Sequence, residues 1–278
     1  MLASILYRLT AQNSVSIPAF HGRKLHAVFF SIVDNFSEEM AEALHDTRQF
    51  KPFTLSQLQP IPRGNNTHGF RITKSRGREF YQIRQGDEFY WRINLLVEDL
   101  IQAVMEVPLG TEFQLDRLSL KLDKIICDGS HDTGVLEIEE LMAGAFSANH
   151  VSKVEFNFTS PVAFRSFDDD YAFPTPELIF GSLADKWNSI GMPVNFDKDS
   201  VKETAALLLP QEWEGKSEKV YFAADRGALS FRGKFNFSMK RLADEEREAV
   251  IMLASLAPFA GVGRLTGQGF GQTRINFS

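Results

Sequence analysis

The chain has 278 residues, room for one large domain or two of ordinary size, and its 44% apolar and 24% charged residues suit a globular protein with a full core. No apolar run approaches the ~18 residues of a membrane helix, the opening MLASILY is too short for a secretory segment, and the single Cys127 excludes an internal disulfide or a cysteine zinc cluster. The net charge of −6 argues against a uniformly basic nucleic-acid binder, although phosphates respond to the local field rather than to the total. A cytoplasmic protein is expected.

Leu2–Thr10 mixes apolar and polar residues as a strand does, and Ile17 with Pro18 reads as the opening of a helix. Leu25, Val28, Phe29, Ile32 and Val33 then follow the spacing of one apolar helix face. Ser37 before Glu38 and Glu39 makes an N-cap with an acidic first turn, predicting a short helix to about His45. Strand patterns follow at Phe53–Leu58, Phe70–Thr73 and Glu79–Arg84. Phe89–Val107 reads as a strand entering a helix, and Thr111–Ile126 as another strand.

After the turn Asp128–Gly134 and a short helical stretch the pattern starts again. Val151–Thr159 alternates as a strand. Thr175, Pro176 and Glu177 supply N-cap, first-position proline and acidic first turn for a helix whose Ile179, Leu183, Trp187 and Ile190 share a face. Lys219–Ala224 and Ala228–Met239 flank a turn, a helix runs from about Asp244 to Leu256, and Gly271–Phe277 is the last strand. Each half reads βαββαβ. The expected fold class is α+β, with two tandem ferredoxin-like (RRM-like) domains, 1–148 and 149–278, and a glycine-rich loop near the C-terminus. Such a fold serves many functions, so function must come from the residues.

Basic residues cluster locally. Between Ile61 and Arg84, six cations (Arg63, Arg71, Lys74, Arg76, Arg78, Arg84) stand against one acid, Glu79, and a later stretch holds Arg226, Arg232, Lys234, Lys240 and Arg241. Either is a solvated surface or a phosphate-binding face. Gly261, Gly263, Gly267, Gly269 and Gly271 crowd one short segment. A dinucleotide fingerprint fails there because Thr266 takes the third glycine position, and a Walker loop fails for want of GK[ST]. Two readings stay open: a backbone-amide cradle for phosphates beside Arg264 and Arg274, or a tight helix-to-strand connection pinned by packing.

Gly261-Val262-Gly263, five residues, then Gly269-Phe270-Gly271 resembles the G-h-G-x5-G-h-G signature of the RAMP superfamily of CRISPR RNA-binding proteins. IPAFHGRKLHAVF, KPFTLSQL, FTSPVAFRS and PTPELIFGSLADKWN resemble that superfamily's repeat-processing endoribonucleases, and these blocks span nearly the whole chain. The resemblance implies metal-independent cleavage of CRISPR repeat transcripts by 2′-hydroxyl attack, leaving a 2′,3′-cyclic phosphate and a 5′-hydroxyl. It implies no metal or cofactor. Its partners would be repeat RNA and other subunits of an interference complex, with the chain a monomer or homodimer. The alternative is a non-catalytic RNA-binding subunit of such a complex.

Metal-free RNA cleavage needs proton transfer, which histidine suits, and a cation for the phosphorane, which lysine suits. Of the six histidines, His45 stands at a helix end six residues before Lys51, and the family resemblance makes His45 the general acid or base and Lys51 the transition-state cation. Where some relatives carry a tyrosine this chain has Phe29 and Phe30, so His26 is the rival catalyst. Arg23, Arg63, Arg71, Lys74, Arg76, Arg78, Arg232, Lys234, Arg264 and the glycines Gly261, Gly263, Gly267, Gly269 and Gly271 are the expected RNA contacts. Ser130-His131-Asp132 has hydrolase residue types, but consecutive side chains do not easily converge into a triad.

Overall fold

The computed structural model describes every residue except 47–49, 63–70, 76–77, 149, 167–168 and 223–225, so Arg63 and Arg76 lie outside the described residues. The first half runs β1 (Leu2–Ala11), β2 (Val15–Pro18), α1 (Gly22–Phe36), α2 (Glu38–Asp46), β3 (Phe53–Leu55) and β4 (Gln59–Pro60). It continues through β5 (Arg71–Ser75), β6 (Arg78–Ile83), β7 (Glu88–Leu95), α3 (Glu98–Met105), β8 (Glu112–Leu115), β9 (Leu118–Ile126), β10 (Gly134–Leu136) and α4 (Ile138–Phe146). The second half opens with β11 (Lys153–Val162), the small hairpin β12 (Phe164–Ser166) and β13 (Asp169–Tyr171), α5 (Pro176–Ser189) and α6 (Lys198–Ala206). β14 (Leu209–Tyr221), β15 (Gly227–Ser238), α7 (Asp244–Ala260) and β16 (Thr273–Phe277) complete it.

The main sheets are antiparallel, ordered β3-β7-β1-β9-β8 and β14-β15-β11-β16. Numbering each half's four principal strands along the chain, both sheets run second, third, first, fourth. That is the ferredoxin-like arrangement twice over, with β8 added as an edge strand and β2-β6-β5 as a separate small sheet. Among the described residues, no helix is long and apolar enough to cross a membrane.

Local chemistry explains most element ends. Ser37 Oγ accepts from the Met40 N–H at 3.2 Å, and Thr175 Oγ1 from the Leu178 N–H at 3.4 Å, so both predicted caps satisfy an orphan donor. All five apolar positions of α1 are buried, in a core with Tyr7, Phe53 and Trp91. The second core gathers Phe156, Phe158, Phe180, Trp187, Phe235 and Phe237, each fully buried and worth ~1.5–3 kcal/mol. Leu141 and Ala145 of α4 join this second core.

Four local readings differ from the structure. Ile17 and Pro18 do not open a helix: they close β2, where Ile17 pairs with Tyr81 and Pro18 with Phe80, and α1 begins only at Gly22. Thr111–Ile126 is a hairpin rather than one strand, because Asp116 turns the chain at φ +61°. β14 starts at Leu209, well before the expected Lys219; it is largely exposed, so no apolar alternation announced it. α7 runs through Pro258 to Ala260, beyond the expected Leu256.

That extension docks the second domain on the first. Asn94 Nδ2 donates to the Pro258 carbonyl and Thr54 Oγ1 to the Phe259 carbonyl, both at 3.0 Å. Two side chains of the first sheet thus satisfy carbonyls that the helix end leaves open. The glycine-rich loop starts one residue later and is delivered against β3 and α1.

Candidate active site

Phe30, on α1, is the hub. His26, one turn earlier, has its ring 4.8 Å from Phe30 and 5.6 Å from Phe53. His45, in the last turn of α2, meets Phe30 edge-on at 5.9 Å and is otherwise exposed. Lys51 Nζ lies 5.2 Å over the same ring and donates to the Leu44 carbonyl. The fold therefore gathers two imidazoles and an ammonium around one aromatic face. Among the described residues, the ring partners of Phe30 are His26, Phe29, His45 and Phe53, with no tyrosine.

Burial shifts two of these groups. Burial, reinforced by the charges of Lys51, Arg23 and His45, pushes His26 down to about 4, and its buried Nδ1 has no hydrogen-bond partner among the described residues. His26 is therefore neutral near pH 7, able to accept a proton and poorly able to supply one. Burial also lowers the Lys51 pKa, against the opposing pull of Asp46. His45 stands at the C-terminal end of its helix and is exposed.

His26 and Lys51 line a cleft of about 840 Å³ whose opposite wall is Gly263–Gln268. The loop is built for close packing. Gly261, Gly263, Gly269 and Gly271 all have positive φ, from +64° to +89°. A side chain on Gly271 would run into the Val262 carbonyl, and one on Gly263 into the Ala163 carbonyl. The amides are largely spent inside the protein: Val262 donates to the Gly271 carbonyl, Gly263 to Ser182 Oγ, Arg264 to the Ala163 carbonyl and Gly271 to the Pro161 carbonyl. Gly267 sits on the Phe53 ring. Packing thus accounts for most of these glycines. Arg264 is engaged by Asp170 of the β12–β13 hairpin.

Sequence reasoning missed the tether beneath the loop. His21 is buried; its Nε2 accepts from the Leu58 N–H at 3.0 Å, so Nδ1 carries the proton toward the Pro18 and Ala19 carbonyls. Gln57 Oε1 accepts from the His21 N–H at 2.9 Å, while its Nε2 donates to the Gln268 carbonyl at 3.3 Å. Gly22 packs directly on that same carbonyl. The spot lies inside the IPAFHGRKLHAVF block, which carried the family resemblance without showing these contacts.

Burial holds His21 down at about 4, below its ordinary 6.5. A depressed histidine contributes stability that is present above pH 6.5 and lost as pH falls toward 4. The ring should remain neutral at pH 5 in an NMR titration, and its protonation should cost up to about 3 kcal/mol by pH 4. An ordinary titration midpoint for His21 would refute this.

A second cleft, about 1160 Å³, opens between the two sheets. Among the described residues, nine cations line it, including Arg23, Lys74, Arg78, Arg92, Arg232 and Arg274, against the carboxylates of Glu79, Asp132 and Glu218. Some are paired, as Arg232 with Glu218 at 3.0 Å and Arg274 with Asp132 at 3.1 Å, but such exposed pairs are worth little and exchange readily for phosphate. Phe20, Tyr81 and Tyr221 stand among the cations. Arg71 and Lys234 are exposed outside these walls. His131 and Asp132 form no triad with Ser130: Arg274 takes Asp132, and His131 lies against Tyr90.

Residues 1–126 match the family model described as the CRISPR Cas6 N-terminal domain, and residues 156–273 the one described as CRISPR-associated endoribonuclease Cas6. No curated protein matches in sequence. Among solved structures, a product complex of Cas6 (TTHB231), a Thermus thermophilus protein, is 23% identical with a TM-score of 0.76, covering 99% of this chain and 100% of that one. A product complex of Cas6 (TTHA0078) is 21% identical at a TM-score of 0.72, again covering 99% and 100%. A Cas6-related protein of Pyrococcus furiosus is 14% identical at 0.62, covering 99% of both chains. These likenesses show a common fold across both halves. With both family models matched in order along one chain, the protein belongs to the Cas6 family of CRISPR-associated endoribonucleases.

Proposed function

We propose that this chain cuts CRISPR repeat RNA without a metal. A base takes the proton of the ribose 2′-hydroxyl, the oxygen attacks the adjacent phosphorus, and an acid protonates the departing 5′-oxygen. The fragments end in a 2′,3′-cyclic phosphate and a 5′-hydroxyl. The observation that carries the reading is the cluster around Phe30, where His26, His45 and Lys51 meet beside the glycine-rich loop. His45 serves as acid, base or both. Lys51 stabilises the charge on the phosphorane, and neutral His26 is the rival base.

RNA runs over the basic cleft, with Arg23, Lys74, Arg78 and Arg232 on phosphates, each contact steepening the salt dependence of binding. Arg71 and Lys234 extend that surface. Arg264 and the loop glycines serve mainly by holding the wall of the cutting cleft. The product complexes of Cas6 (TTHB231) and Cas6 (TTHA0078) support RNA binding here. The division at 148/149, a cytoplasmic location, a monomer or homodimer, and contact with other interference-complex subunits belong to the same proposal.

Labelled repeat RNA incubated with the protein in excess EDTA should be cut at full rate, at one position, with the two end groups named above. Loss of cutting in EDTA would overturn the metal-free mechanism, and a 3′-hydroxyl end would overturn the 2′-hydroxyl attack.

A further inference from the structure

Of the carbonyls at the end of α7, Asn94 and Thr54 take Pro258 and Phe259. The next two, Ala260 and Gly261, both accept from Lys186 Nζ, at 3.1 and 2.8 Å. Lys186 reaches them from α5 and is only 4% exposed. Its Nζ also lies 5.2 Å over the ring of Phe50, the residue before Lys51. Phe50 itself packs against the second core, although its neighbours Lys51 to Phe53 belong to the first domain. One ammonium thus touches the start of the glycine-rich loop and the root of the Lys51 segment, and it lines the same cleft as both.

A buried ammonium is costly unless its donors are satisfied. Here a helix C-terminus and an aromatic face supply the compensation. Burial still draws its pKa down to about 7, against the pull of Asp185. An apolar side chain of equal volume would fill the same space at no such cost. What it could not do is hold two carbonyls and a ring at once.

We propose that Lys186 is a positioning residue that sets the separation of Lys51 and the glycine-rich loop across the cutting cleft. The proposal rests on Lys51 being the cation at the scissile phosphate. Four proteins test it: Lys186→Met, Lys186→Arg, Lys51→Ala and the double variant Lys186→Met/Lys51→Ala. Single-turnover cleavage of labelled repeat RNA is measured at saturating protein, and affinity separately.

Lys186→Met should slow cleavage by about 10- to 100-fold, the scale of an ångström's misplacement, while Kd changes less than about threefold. Lys186→Arg, which keeps the charge and the donors, should recover much of the rate. In the Lys51→Ala background the Lys186→Met change should add less than about threefold, because its effect passes through Lys51. A wild-type rate for Lys186→Met, an equal effect in both backgrounds, or a rate loss matched by lost affinity would each overturn the inference. A wild-type rate for Lys51→Ala would instead overturn the reading of Lys51, and the inference with it. Should Lys186→Met fail to fold, Lys186→Gln, which is neutral but keeps an amide donor, is held to the same expectations.

Discussion

Alanine at position 45 should slow repeat cleavage by ~10²–10⁴-fold, the range for removing a general acid or base, and should leave repeat affinity nearly unchanged. The proposal favours His45 on position, and His26 is disfavoured by its burial. Its exposed ring, next to Lys51 through Phe30, is open to a phosphodiester. His26 sits deeper, is held neutral down to about 4, and at pH 7 has almost no proton to give the leaving oxygen. Replacing His26 should therefore cost less than replacing His45. Single-turnover rates at saturating protein, alongside binding measured with uncut RNA, separate the two. Unchanged cleavage in His45→Ala together with a large loss in His26→Ala would transfer the assignment to His26.

The largest effect on stability is expected at Gly22. An alanine there should help the helix by up to ~1 kcal/mol on propensity alone. Its Cβ, however, would land on the Gln268 carbonyl oxygen and stand 2.5 Å from Gln57 Nε2. Side chains can swing aside; a loop carbonyl held by Gln57 and by closely packed glycines cannot. Overpacking of this kind costs ~1–3 kcal/mol and occasionally more, so the clash outweighs the propensity. Urea unfolding should show Gly22→Ala destabilised by roughly 2 kcal/mol or more. Gly144→Ala is the control, an exposed helical glycine of α4 with nothing within 4 Å of its missing Cβ, and it should stabilise by ~0.5–1 kcal/mol. Equal stability of wild type and Gly22→Ala would show that the loop can yield, and would undercut the view of it as a rigid brace between the domains.

Much of this molecule is legible residue by residue. The α1 stripe, the Ser37 and Thr175 caps and the βαββαβ order in each half follow from side-chain period and local hydrogen bonding, which act within a few residues. The glycine-rich loop was equally visible, since several neighbouring glycines mark backbone that side chains would obstruct, but its partners were not. What the amides of Gly263 and Gly271 bond, and why Gly22 must be glycine, depend on segments far apart in the chain.

Lys186 marks the boundary most clearly. Sequence pattern placed Ile179, Leu183, Trp187 and Ile190 on one helix face and singled out nothing about Lys186. The structure buries that lysine completely enough for two carbonyls, 74 and 75 residues away, to become its partners. Periodicity sorts residues by type and cannot see a helix end arriving from another element. So the sequence by itself determined most of the elements, the family signature and the chemical types proposed for the cut. Tertiary structure alone decided which of those groups meet, because hydrogen bonds, close packing and desolvation depend on distance in space rather than along the chain.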